Sequence, residues 1–181
     1  MQRIVPVLTL FLLVFSYAPG AFAALPEPGD ILPAFTLAPI PVEGDAAVLG
    51  LKSNAPFAIG DIPTPYVMIE VIGVYCTICR EQAPSLTKLY KRLKKTKLDQ
   101  RITLLGIAAG GTATEVKFIR ESGDYLYPVA VDPNFEVYSA LSEPKTPFTL
   151  IVDTQGKVLY THRGIVSDVN ALFKVIQELV Q

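Results

Sequence analysis

Apolar and polar positions along the chain fall into two alternating patterns. Residues 66–74 and 101–109 are nearly unbroken apolar runs rich in β-branched side chains, the pattern of strands covered on both faces. Between them, residues 82–97 repeat apolar positions at helical spacing. Leu86, Leu89, Tyr90 and Leu93 take one side, while Lys88, Lys91, Arg92, Lys94, Lys95 and Lys97 take the others. That basic face reads as a solvated helix surface, with a docking patch as the alternative. Pro84 stands near the start and would kink a helix beginning as early as Cys76.

Downstream the same reading continues. Residues 112–120 form a helix after Gly110-Gly111, capped by Thr112 or Thr114. Residues 128–131 form a short strand, and 133–141 a short helix opened by Asp132. Residues 148–152 and 157–162 make a hairpin around Asp153-Thr154-Gln155-Gly156. Residues 169–180 are a last helix, capped by Ser167 or Asp168, with a stripe of Val169, Leu172, Phe173, Ile176 and Leu179.

Upstream, Pro26, Pro28 and Pro33 make residues 24–33 an extended lead-in. Residues 34–38 and 47–51 read as two short strands joined by a turn at Glu43-Gly44-Asp45, with a further extended piece at 55–59. The order β-β, then β-α-β-α-β-α, then β-β-α predicts an α/β fold: a mixed central sheet flanked by helices on both faces, with an N-terminal β extension. Ligand sites in such sheets lie at the carboxyl ends of parallel strands.

Candidate chemistry sits at that place. The two cysteines, Cys76 and Cys79, stand between the run 66–74 and the helical pattern. A thiol at a helix N-terminus is stabilised as thiolate by unpaired N–H groups and the helix dipole. A second cysteine one turn on can close a disulfide with it. The pair therefore reads as a redox dithiol. As a purely structural bridge it would close a four-residue loop for only roughly 2 kcal/mol in the chain-entropy model. Structural zinc needs four Cys or His ligands, and beyond these two the chain offers only His162.

The N-terminus predicts the compartment. Arg3, the short apolar run 4–15 and Ala21-Phe22-Ala23 are the parts of a secretory signal peptide over residues 1–23. The run falls short of the about 20 residues of a membrane span; an uncleaved anchor is the alternative and would also leave the domain at 24–181 outside the cytoplasm. Without Arg3 the chain has 15 basic and 17 acidic side chains. That balance gives no electrostatic case for nucleic acid.

Several motifs together resemble one family. The strand–Cys-x-x-Cys–helix unit, Thr146-Pro147 before Phe148-Thr149-Leu150-Ile151-Val152-Asp153, and Gly156-Lys157 look like the thioredoxin superfamily. Gly29-Asp30-Ile31-Leu32-Pro33-Ala34-Phe35-Thr36-Leu37 resembles the opening of its exported TlpA/ResA-like thiol–disulfide oxidoreductases. The resemblance implies a thioredoxin-like fold with Cys76 as attacking thiol and Cys79 as resolving thiol. It implies that Pro147 is a cis-proline that frees the backbone at Thr146 for substrate, and that Tyr75, Thr77 and Ile78 border the substrate. Glu70, six residues before Cys76, stands where thioredoxin carries a buried acid. A carboxyl inside an apolar strand should have a raised pKa and can accept the proton of Cys79; a strand-edge glutamate reaching solvent is the alternative. Implied partners are protein disulfides and dithiols, such as apocytochromes or envelope proteins, and a membrane electron donor. No organic cofactor is implied.

The sequence departs from the family in having Tyr75 where tryptophan is usual and Thr77-Ile78 between the cysteines. With no basic group in that dipeptide, a reducing protein is expected. A peroxiredoxin-like peroxidase is one rival, weakened because Gly73 stands where that family places threonine before its cysteine. A copper chaperone using Cys76, Cys79 and His162 is the other, weakened because that group uses a Cys-x-x-x-Cys spacing.

Overall fold

The computed structural model describes residues 24–181; the predicted signal peptide lies outside the described residues. Five strands form one sheet: β1 (Tyr66–Gly73), β2 (Ile102–Ala109), β3 (Val129–Asp132), β4 (Phe148–Asp153) and β5 (Val158–Arg163). Their order across the sheet is β3-β2-β1-β4-β5. β1 pairs parallel with β2 and antiparallel with β4, so the predicted mixed sheet is present and β1 is its centre. The near-absence of polar residues in β1 and β2 follows, since both strands are covered above and below.

The helices are α1 (Asp45–Val48), α2 (Thr77–Lys95), α3 (Ala113–Glu121), α4 (Glu136–Ala140) and α5 (Val169–Leu179). From β1 to β2 to β3 the chain steps across the sheet in one direction. Two right-handed crossovers in the same direction put α2 and α3 on the same face. Met68, Ile72, Leu104 and Ala108 pack there against Leu86, Leu89 and Leu93 of α2, Val116 and Ile119 of α3, and Leu172, Phe173 and Ile176 of α5. The opposite face, with Val67, Ile69, Val71, Leu105 and Ile107, is covered by Val137 and Leu141 around α4 and by Leu32, Leu37, Ile40 and Leu49 from the N-terminal region. The lysines of α2 point to solvent, and the helix runs through Pro84 without interruption.

The N-terminal region differs from expectation. The β extension reduces to two isolated bridges, Ile31 with Lys157 and Leu37 with Phe57. No strand forms at 47–51, because the chain turns into α1 at Asp45. Pro39 and Pro41 remove the amide donors a ladder would need on either side of Ile40. The Asn54 side-chain amide supplies the partner instead, accepting from Ile40 N at 2.8 Å and donating to Ile40 O at 3.0 Å. Asp45 is buried against Arg120 of α3, with an N–O distance of 2.7 Å. α4 is shorter than predicted and begins later, with Phe135 rather than Asp132 at its N-cap position, yet the Asp132 carboxylate reaches its first turn and accepts from Val137 N and Tyr138 N at 3.1 and 2.9 Å.

Candidate functional site

β1 delivers the chain to a turn at Val74-Tyr75, and α2 begins at once, five residues before the apolar periodicity starts. Cys76 is the N-cap of α2. Its Sγ accepts from Cys79 N at 3.2 Å, and its carbonyl accepts from Arg80 N at 3.2 Å. Cys76 and Cys79 form a disulfide across one helical turn, with Cα atoms 5.2 Å apart. Cys76 is half-buried, whereas Cys79 is 1% exposed and belongs to the core beneath α2. One sulfur therefore faces incoming reagents and the other is shielded behind it.

The register of β4 on β1 pairs Val71 with Phe148. The residues just before β4 consequently arrive beside the turn that carries Cys76. The Thr146–Pro147 peptide bond is cis, as the family resemblance implies. The carbonyl of Thr146 lies 3.7 Å from Cys76 Sγ. A disulfide sulfur carries no proton, so this is a contact; in the dithiol the same geometry lets the thiol donate to that carbonyl. Gly73 leaves room for the turn: a Cβ there would crowd Cys76 Cβ at 3.3 Å, while meeting Thr146 Oγ1 at an ordinary 3.7 Å. Pro147 is buried, and its carbonyl accepts from Gly164 N at 2.9 Å.

Glu70 points from β1 into the core under α2 and is 1% exposed, which removes the strand-edge alternative. Thr149 donates to its Oε2 at 2.6 Å, and the Gln82 amide donates to its Oε1. Gln82 in turn accepts from Val166 N at 2.5 Å. Burial pushes the Glu70 carboxyl from 4.5 up to about 7, against the lowering effect of these hydrogen bonds. Gln82 was not singled out by sequence reasoning. It lies one turn beyond Cys79 on the same helix face, and a glutamine on an apolar face is the one signal that could have found it.

The other sequence-predicted residues divide. Thr77 and Ile78 are exposed at the start of α2. Tyr75 is 83% exposed, and its hydroxyl donates to Glu115 Oε1 at 2.6 Å. Glu115 also closes the capping box of α3 with Thr112. Those bonds, from Thr112 first and then Tyr75, hold the Glu115 carboxyl down at about 2. His162 stands on β5 opposite Thr149, with Nε2 3.0 Å from the Ile165 carbonyl. Among the described residues no three His, Cys, Asp or Glu side chains are grouped to hold a metal ion.

Comparison with known proteins agrees with this geometry. A DsbE-type thiol:disulfide interchange protein homologue from Paracoccus denitrificans is 27% identical over 168 residues, covering 91% of this chain and 88% of that protein. The thiol-disulfide oxidoreductase ResA of Bacillus subtilis is 22% identical over 110 residues, covering 61% of this chain but only 59% of that protein. Among solved structures, a Chlorobium tepidum protein assigned to the DsbE type superposes with a TM-score of 0.65 at 20% identity, covering 86% of this chain and 99% of that one. The fold is thus thioredoxin-like, and relatives named as thiol–disulfide oxidoreductases fit the cysteine pair found here. Residues 28–161 match the AhpC/TSA family, and the chain belongs to that family.

Proposed function

We propose that the chain is an extracytoplasmic thiol–disulfide oxidoreductase that reduces disulfides in other proteins. The observation that carries this reading is the Cys76–Cys79 disulfide at the start of α2, with its more exposed sulfur against the cis Thr146–Pro147 segment. In the dithiol, the Cys76 thiolate attacks a client disulfide. A mixed disulfide forms and one client sulfur leaves as thiolate. Glu70 accepts the proton of Cys79, whose thiolate attacks Cys76 Sγ and expels the second client sulfur. The client gains two electrons and the chain returns to its disulfide. A membrane electron donor then restores the dithiol with two electrons.

A carboxyl titrating near 7 suits the proton step, because it is populated in both forms around neutral pH. The Thr146 backbone and the exposed Tyr75, Thr77 and Ile78 border the attacking sulfur and would hold the client. The Thr77-Ile78 dipeptide, lacking a basic group, supports the reducing direction. The leader pattern at residues 1–23 supports export, with residues 24–181 as the working domain, and clients would be apocytochromes or envelope proteins. The decisive experiment is a Cys79→Ser variant. It should accumulate mixed disulfides through Cys76 that mass spectrometry identifies, and none should form in Cys76→Ser. Failure to trap any protein, together with steady consumption of hydrogen peroxide by the wild-type dithiol, would replace this reading with a peroxidase.

A further inference from the structure

The disulfide has two flanks, because β1 lies between β2 and β4. On the β4 flank stands Thr146–Pro147. On the β2 flank, between the first turn of α2 and the outer face of α3, lies a groove of about 580 Å³ whose lining includes Tyr75, Arg80, Glu115, Phe118 and Tyr125. Phe118 is 72% exposed and Tyr75 83% exposed, so two aromatic rings face water at the rim of this one depression. Tyr75, on this lining, is the residue immediately before Cys76, so the groove begins beside the reactive turn. Exposed aromatic side chains gathered around a concavity mark a surface that a partner covers.

Its polar groups are already committed or sit at the edge. Glu115 accepts from both Tyr75 and Thr112, which ties the Tyr75 hydroxyl to the start of α3. Arg80 and Asp124 are exposed there. The groove thus offers an apolar floor, an aromatic wall and a sparse polar rim of both signs. That combination accepts a large apolar side chain while leaving rim hydrogen bonds for a peptide backbone.

We propose that this groove holds an aromatic or large aliphatic side chain that flanks the reactive cysteine of an extended, incompletely folded client. The proposal rests on the exchange reading above and specifies its substrate class. The chosen occupant follows from continuity: one strand of client polypeptide held at Thr146 presents its sulfur to Cys76 and runs on past Tyr75, the next residue back along the chain, into the groove that Tyr75 lines. Such a side chain is exposed before a client folds and buried afterwards, so the groove selects clients still open to reduction.

The test uses two disulfide peptides of one sequence, differing only in tryptophan or alanine beside the cysteine. The dithiol form of the full chain should reduce the tryptophan peptide with a kcat/KM about tenfold higher, the size typical of a single anchoring side chain. Phe118→Ser should collapse that ratio toward one through KM. Thr114→Trp, at another exposed lining position, should do the same by filling the groove. Both substitutions are at solvent-facing positions, so their effect is read on folded protein. Reduction of both peptides at equal rates by the wild type overturns the groove assignment alone. Reduction of neither overturns the exchange reading and the groove with it. A dimer in sedimentation that Phe118→Ser dissolves would show the groove to be a self-interface, and also overturns the proposal.

Discussion

Replacing Glu70 by glutamine isolates the energetic consequence of placing a carboxyl under α2. The native carboxyl holds its proton up to about pH 7, whereas in the unfolded chain it releases it near 4.5. Between those values the folded state binds more protons than the unfolded state, so stability falls as pH rises and levels off above 7. A difference of 2.5 pKa units corresponds to about 3 kcal/mol. In Glu70→Gln the amide oxygen can still accept from Gln82 and the amide nitrogen can donate to a rotated Thr149 hydroxyl, so the packing is kept. The variant should be close to wild type at pH 4.5 and gain on it with rising pH, by up to about 3 kcal/mol at pH 8 less any cost of the rearranged bonds. Guanidinium unfolding of both oxidised proteins at half-unit intervals from pH 4.5 to 8.5 reads this difference directly. Parallel stability curves would refute the reasoning, since they would mean that Glu70 ionises alike folded and unfolded.

Two further perturbations probe the scaffold that holds the site. Arg120→Met should strand the buried Asp45 carboxylate and cost about 3 kcal/mol in chemical denaturation; Asp45→Ala added to it should recover part of the loss, and an unaltered midpoint for the single variant would show the pair to be inert. Gly110→Ala should cost about 1–2 kcal/mol, mainly from the backbone at φ 68°, since the half-exposed Phe135 ring that a new Cβ would strike can swing away; thermal unfolding that matches wild type would contradict this.

β1 and β2 are legible because a strand covered on both faces needs apolar residues at every position. Residues 66–74 and 101–109 satisfy that within one residue of the observed limits. The last helix is legible because its stripe has one buried side, with Asp168 capping it through Asn170 N and Ala171 N. The first turn of α2 escapes periodicity because Thr77, Ile78 and Arg80 face solvent around the sulfurs rather than the core. The region before β1 escapes for another reason. Its apolar positions dock singly, and its polar ties join residues far apart in sequence, Asp45 to Arg120 and Ile40 to Asn54. No local pattern encodes such pairs. The cysteines and Glu70 stand out as chemistry in an otherwise apolar setting, whereas the α2–α3 groove exists only once two helices are set side by side.

The lead-in at residues 27–32 has almost no regular structure, yet its course along β5 matters. Gly29 N and Leu32 N donate to Val158 O and Gly156 O at 2.9 Å, Asp30 O accepts from Val158 N at 2.8 Å, and Glu27 pairs with Arg163. β5 is the outermost strand on its side of the sheet, and an outermost strand with free amides recruits strands from other molecules. The lead-in therefore occupies the beginning of that edge at Val158, and a recombinant form trimmed past Leu32 is expected to aggregate more readily than the full chain, which light scattering at equal concentration would read.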